Sequence, residues 1–197
     1  MGVSLSKGGN VSLSKEDPNL DEIVVGLGWD VRSTDGAEFD LDASAFLLNS
    51  SGKTRSRDAA DFCFYGNMSV GGGAVIHQGD NRTGEGEGDD EQIVITLSKL
   101  PTAIMRVALV ITIFEARQRR QNFGQVDNAY ARIVNARTGR EIARYDLTED
   151  AATETAMTIG EVYRNGSDWK FKAVGQGFEG GLHKICHLYG VDADDDG

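Results

Sequence analysis

Met105-Arg106-Val107-Ala108-Leu109-Val110-Ile111-Thr112-Ile113-Phe114 is the most apolar run in the chain and is rich in β-branched side chains. Its ten residues fall well short of the roughly 20 that a helix needs to cross a bilayer, and they suit a long central strand. Such a strand must have neighbours on both sides to satisfy its backbone polar groups, so the rest of the chain has to supply a sheet.

The neighbours are visible as short alternating runs. Ala156 to Arg164 and Trp169 to Val174 flank Asn165-Gly166-Ser167-Asp168, the clearest hairpin in the chain, because Asn-Gly supplies the backbone conformations of a tight turn. Gly175 to Gly181 then breaks the pattern. Ala129 to Val134 and Glu141 to Leu147 form a second hairpin pair, and Ile23 to Trp29 is a strand whose Gly26 and Gly28 permit a bulge or close approach by a neighbour. Further strands are expected at Ala43 to Leu48, Asp61 to Tyr65, Ala74 to His77 and Gln92 to Leu97. Val3-Ser4-Leu5-Ser6-Lys7 recurs as Val11-Ser12-Leu13-Ser14-Lys15 around Gly8-Gly9-Asn10, which predicts a hairpin with a glycine turn. Only Glu115 to Gln121 and Leu182 to Tyr189 read as short helices, the second with Leu182, Ile185, Cys186 and Tyr189 on one side.

Many strands, few helices and 25 glycines against two prolines predict a mainly β protein, a two-sheet antiparallel β-sandwich with short peripheral helices; a closed barrel is the alternative. Residues 1–191 make one domain and residues 192–197 an acidic, disordered tail. Cys63 and Cys186 lie among apolar neighbours and are expected as buried free thiols. No apolar segment reads as a secretory signal or a membrane span, so a cytoplasmic protein is expected. Met1 to Ser6 formally matches a myristoylation pattern, but Val3 to Leu5 also opens an alternating strand.

The formal net charge of -11, from 31 acidic and 20 basic side chains, disfavours nucleic acid as a partner. The charge is concentrated. Gly79 to Glu91 packs six carboxylates, one Asn, one Thr and a single cation into thirteen residues, and Asp30 to Asp42 forms a second acidic segment. Such crowding gains little from folding unless something neutralises it. Hard oxygen ligands on flexible glycine-rich backbone suit calcium, with magnesium in a smaller and more hydrated site, or else the segment is a solvated acidic turn. Asp40 and Asp42 are two apart, so in a strand they share a face while Leu41 points away. An EF-hand does not fit: with Asp80 at loop position one, Arg82 falls at position three and Glu85 takes the glycine position.

His183 and His187 stand four apart on the expected last helix and could in principle bind zinc, although Lys184 stands where a zinc protease carries glutamate. His77, just before the acidic segment, is read as a strand cap or a partner of a loop carboxylate. The Arg117 to Arg120 cluster is either solvated surface or a contact for an acidic partner or lipid head groups. No nucleophile elbow, phosphate loop or reactive dithiol is present, which leaves a carboxylate-based, metal-dependent hydrolase as the one enzyme alternative.

Five ordered segments carry a resemblance: Gly26-Leu27-Gly28-Trp29-Asp30, Phe39 to Leu48, Gly79 to Glu91, Asn122-Phe123-Gly124-Gln125-Val126 and Ala173 to Phe178. Over Met1 to Val191 the chain resembles the tellurium-resistance TerD family, with only the Asp192 to Asp196 tail departing from it. The resemblance implies a non-enzymatic, calcium-binding β-sandwich of a bacterial tellurium-resistance and general stress-response system, acting as scaffold or adaptor. It implies two neighbouring calcium positions, with Asp30, Asp40, Asp42, Asp80, Asn81, Thr83, Glu85, Asp89, Asp90 and Glu91 as the matching site residues. It also implies other tellurium-resistance proteins as partners, some of them membrane-associated, and hence a cytoplasmic protein that can sit peripherally at the inner face of the membrane. A structural calcium ion in a protein-interaction module, without calcium sensing, is the alternative within the same family reading.

Overall fold

Where apolar side chains alternate with polar ones, one face of a strand can be buried while the other meets solvent or a second layer. The computed structural model describes residues 2–31, 39–79, 88–147 and 153–193. In chain order its strands are β1 (Val3–Leu5), β2 (Asn10–Ser12), β3 (Glu22–Val31), β4 (Leu41–Leu48), β5 (Phe62–Cys63), β6 (Ser69–Val70) and β7 (Val75–His77). They continue as β8 (Glu91–Thr96), β9 (Arg106–Ile113), β10 (Val126–Asn135), β11 (Glu141–Asp146), β12 (Ala156–Asn165) and β13 (Asp168–Phe178). The α-helices are α1 (Leu13–Glu16), α2 (Ala116–Arg119) and α3 (Gly181–Tyr189). One sheet runs β1-β11-β10-β3-β8-β7-β6 and the other β2-β13-β12-β9-β4-β5. The β-sandwich is therefore as expected, with two separate sheets rather than a closed barrel, and β1 pairs with β11 in parallel within otherwise antiparallel sheets.

The apolar run β9 is central in the second sheet, between β12 and β4. Its burial on both faces has a simple cause. Val107, Leu109, Ile111 and Ile113 enter the core between the sheets, while Ala108 and Val110 face a second apolar cluster beneath α3. That cluster holds Phe46, Phe62, Ile185, Cys186 and Tyr189, with Phe46 stacked on Phe62 at 4.3 Å between centroids. Helix α3 stops at Gly190, whose φ of 90° closes the last turn through its N–H to the Cys186 carbonyl at 2.8 Å.

Two local expectations are overturned. The five-residue repeat does not pair with itself. β1 adds to the edge of the first sheet beside β11, whereas β2 adds to the second sheet beside β13. Each copy covers a bare sheet edge and so satisfies a ladder that would otherwise face solvent. The second copy leaves the strand at Leu13, which is fully buried, and Ser14 Oγ accepts from Trp169 N at 2.9 Å, fixing α1 against β13. Gly175 to Gly177 likewise does not end the last hairpin: β13 continues to Phe178, and a register shift opposite Thr158 and Gly160 absorbs the irregularity. Of the acidic tail, Asp192 is held by Arg57 through a backbone bond of 2.8 Å and an ion pair of 2.9 Å; residues 194–197 lie outside the described residues.

Both cysteines are buried and free. Burial pushes their thiols from 9.0 up to about 11, and it raises Tyr189 in the same way. The unfolded chain therefore releases these protons first as pH rises, so stability holds up to about pH 9 and falls between about 9 and 11. Urea midpoints measured at about pH 8 and about pH 10.5 should show that loss, and a thiol reagent at about pH 8 should label neither cysteine until denaturant is added.

Candidate metal centre

Antiparallel pairing decides which strand ends meet. Glu91, the first residue of β8, lies opposite Leu27, and Asp127 of β10 lies opposite Asp30 of β3. Leu41, the first residue of β4, lies opposite Ile113 at the far end of β9. A side chain links the two sheets here: Glu91 Oε2 accepts from the backbone N–H of Ala43, and His77 Nε2 lies 3.6 Å from the same oxygen. The described residues of the two acidic segments thus share one end of the sandwich.

Asp30, Asp40, Asp42, Asp89, Asp90 and Glu91 all lie at that end, whereas Asp80, Asn81, Thr83 and Glu85 lie outside the described residues. The described carboxylates differ in what surrounds them. On β3, Val25, Leu27 and Trp29 enter the core, so alternation turns Asp30 to the outer face of the first sheet. There Asn128 Nδ2 donates to Asp30 Oδ2 at 2.6 Å. Asn128 sits at a bulge in β10 with a φ of 52°, a conformation Asn tolerates better than most residues. Asp90 Oδ2 accepts from Trp29 N at 2.9 Å. Burial raises its pKa above the ordinary carboxylate value, the Trp29 N–H opposes the rise, and the negative charges of Asp30 and Asp89 add to it.

On β4, Leu41 and Ala43 enter the core as the alternation requires, so Asp42 faces the outer side of the second sheet. Asp40 precedes the strand and its carbonyl accepts from Phe114 N at 2.8 Å. Only 7% of Asp40 and 9% of Asp42 is exposed, so water contributes little to solvating these two carboxylates.

Asp89 and Glu91 serve the protein. Arg132 Nε donates to Asp89 Oδ1 at 2.7 Å and Gln92 Nε2 to Asp89 Oδ2 at 3.1 Å, while Tyr130 reaches the neighbouring Gly88 carbonyl at 2.8 Å. The adjacent carboxylate holds the Arg132 guanidinium above its ordinary pKa. This network crosses β3 where it has no side chains: a Cβ on Gly26 would collide with the Asp89 carboxylate, and one on Gly28 with the Tyr130 ring. The expected close approach by a neighbour is thus what the two glycines provide. Sequence reading missed Asn128, Tyr130 and Arg132; an Asp-Asn pair just after the Asn122 to Val126 segment was the available signal.

Hard oxygen donors, two nearly buried carboxylates and mutual repulsion at Asp90 fit a hard divalent cation such as calcium better than a soft metal. Asp30, Asp40, Asp42 and Asp90 are the described residues that would hold it. Among the described residues no three His, Cys, Asp or Glu side chains are grouped so that they could hold a metal ion by themselves.

The fold and this acidic rim define a class, a two-sheet β-sandwich with carboxylates gathered at one end of its strands. The TerD domain family model matches residues 1–189, and the chain belongs to that family. It is 58% identical to tellurium resistance protein TerD of Serratia marcescens, over 98% of this chain and 100% of that protein. It is 51% identical to general stress protein 16U of Bacillus subtilis (strain 168), over 97% of this chain and 98% of the relative. A solved TerD homologue from Streptomyces coelicolor A3(2) superposes with a TM-score of 0.71 at 22% identity, covering 88% of this chain and 100% of that one, and so shares its fold. The family role is tellurium resistance and stress response. No helix among the described residues is long and apolar enough to cross a membrane.

Two substitutions test the architecture of this end. Gly26→Ala should displace Asp89 from Arg132 and destabilise the fold by about 1–3 kcal/mol, read as a lower urea midpoint. Glu91→Ala removes the acceptor of the Ala43 N–H and should cost about 1–3 kcal/mol in the same measurement, without loss of the β-rich circular dichroism spectrum.

Proposed function

We propose that this chain is a non-enzymatic calcium-binding module of the tellurium-resistance and stress-response system, working as a scaffold or adaptor. The observation that carries the reading is that Asp30, Asp40, Asp42 and Asp90 all belong to strand ends at one end of the sandwich, near the cross-sheet bond of Glu91. Register turns Asp30 and Asp42 to the outer sides of different sheets, so these two carboxylates would serve separate ions. Asp80, Asn81, Thr83 and Glu85 would add ligands from the segment before β8, while Asp89 and Glu91 hold the frame. Calcium would supply charge neutralisation and tie the acidic segments to the strand ends. The bound surface would then be offered to other tellurium-resistance proteins, including membrane-associated ones, from the cytoplasmic side.

A second reading keeps calcium as a permanent structural ion. It is favoured by the depth of Glu91, whose side chain is fully buried where the sheets join, since an ion beside such a joint supports the fold itself. Calorimetric titration of the full chain should show saturable calcium binding, with about 2.7 kcal/mol of added stability at a hundredfold excess over Kd. Asp42→Asn should weaken binding at least about tenfold, whereas Asp192→Ala should leave it unchanged. Absence of both heat and a melting shift at millimolar calcium overturns the proposal. Ion retention through prolonged dialysis selects the structural reading, and micromolar, exchangeable binding selects the responsive one.

A further inference from the structure

His183 and His187 lie one turn apart on α3, with their Nε2 atoms 2.9 Å apart and their ring centroids separated by 4.4 Å. The helix beneath them is fixed. Ile185, Cys186 and Tyr189 are buried against the second sheet, and the Tyr189 hydroxyl bonds with Thr158 Oγ1 at 3.0 Å. The opposite face therefore presents both imidazoles outward from a backbone that cannot roll.

We propose that His183 and His187 form a chelating site for a late divalent transition metal, copper(II) or nickel(II). An imidazole nitrogen sits about 2.0–2.1 Å from such an ion, so two nitrogens 2.9 Å apart subtend an angle of about 90° at the metal. That is the angle between neighbouring ligands in tetragonal copper or nickel coordination, and these two ions stand high in the affinity order of nitrogen sites for first-row divalent metals. In the metal-free pair one Nε2–H donates to the other ring. On binding, both rings carry their proton on Nδ1, so the donor ring moves its proton from Nε2 to Nδ1 through water and each Nε2 lone pair goes to the ion. Water fills the remaining positions. The site uses no residue of the acidic end, and its nitrogen ligands make calcium a poor competitor.

The test is titration of the full chain with copper(II), and separately nickel(II), in excess calcium. Binding is followed by the visible ligand-field absorption and, for copper, by nitrogen hyperfine structure in electron paramagnetic resonance. One ion per chain is expected, showing two coupled nitrogens with copper. His183→Gln or His187→Gln should each weaken binding at least about tenfold, because the chelate is lost. Lys184→Ala, on the same exposed turn, should bind as the unaltered chain does. His77 is buried and common to all the variants. Failure to saturate overturns the proposal, and so does unchanged affinity or unchanged nitrogen coupling in either glutamine variant. Unchanged circular dichroism in both variants ties any loss to the imidazoles, since glutamine is well tolerated in helices.

Discussion

The bond from the Ala43 N–H to the buried Glu91 carboxylate is the contact on which the organisation of this molecule turns. Packing between sheets is non-directional and would tolerate small shifts of one sheet over the other. A buried carboxylate does not, because moving it strands both a charge and a backbone donor away from water. With His77 on its other side, Glu91 fixes the start of β8 against the start of β4. The same contact sets where the residues on either side of it, Asp90 and Asp42, stand relative to each other.

Around this joint the carboxylates divide into two kinds. Asp89 and Glu91 are consumed by the frame, one by Arg132 and Gln92 and the other by Ala43 and His77. Asn128 donates to Asp30 and the Trp29 N–H to Asp90, both neutral donors, while the negative charges of the two carboxylates still repel. The frame carboxylates and the carboxylates proposed as ligands are thus separate residues. Under the proposed reading, a bound ion would change the electrostatics of the rim without releasing the sheets.

Much of the scaffold was legible because local chemistry determines it. The β-branched composition of Met105 to Phe114 required a central strand, and the Asn165-Gly166 turn required the β12-β13 hairpin. The acidic residues were legible as a concentration of charge, six carboxylates between Gly79 and Glu91, but not the division by which Asp89 and Glu91 join the frame. What could not be read was partnership at a distance. Two identical copies, Val3 to Lys7 and Val11 to Lys15, have the same strand propensity, yet the sheet edge each one covers lies more than a hundred residues away. Gly26 and Gly28 signalled close approach, but only the pairing of β3 with β10 and β8 identifies Tyr130 and Asp89 as what approaches. For the same reason Glu91 looked like one ligand among many: its burial depends on a strand from the other sheet.

The placement of that amino-terminal repeat has a further consequence. Because β1 lies on one sheet and β2 on the other, a single short segment seals the border of both layers at once. Peeling it away would uncover the outer hydrogen-bonding rows of β11 and β13 together, giving each molecule two adhesive borders. Two such borders are enough to propagate a chain of molecules, where one would allow only a pair. The short amino-terminal segment thus shields one border of each sheet from edge-to-edge pairing.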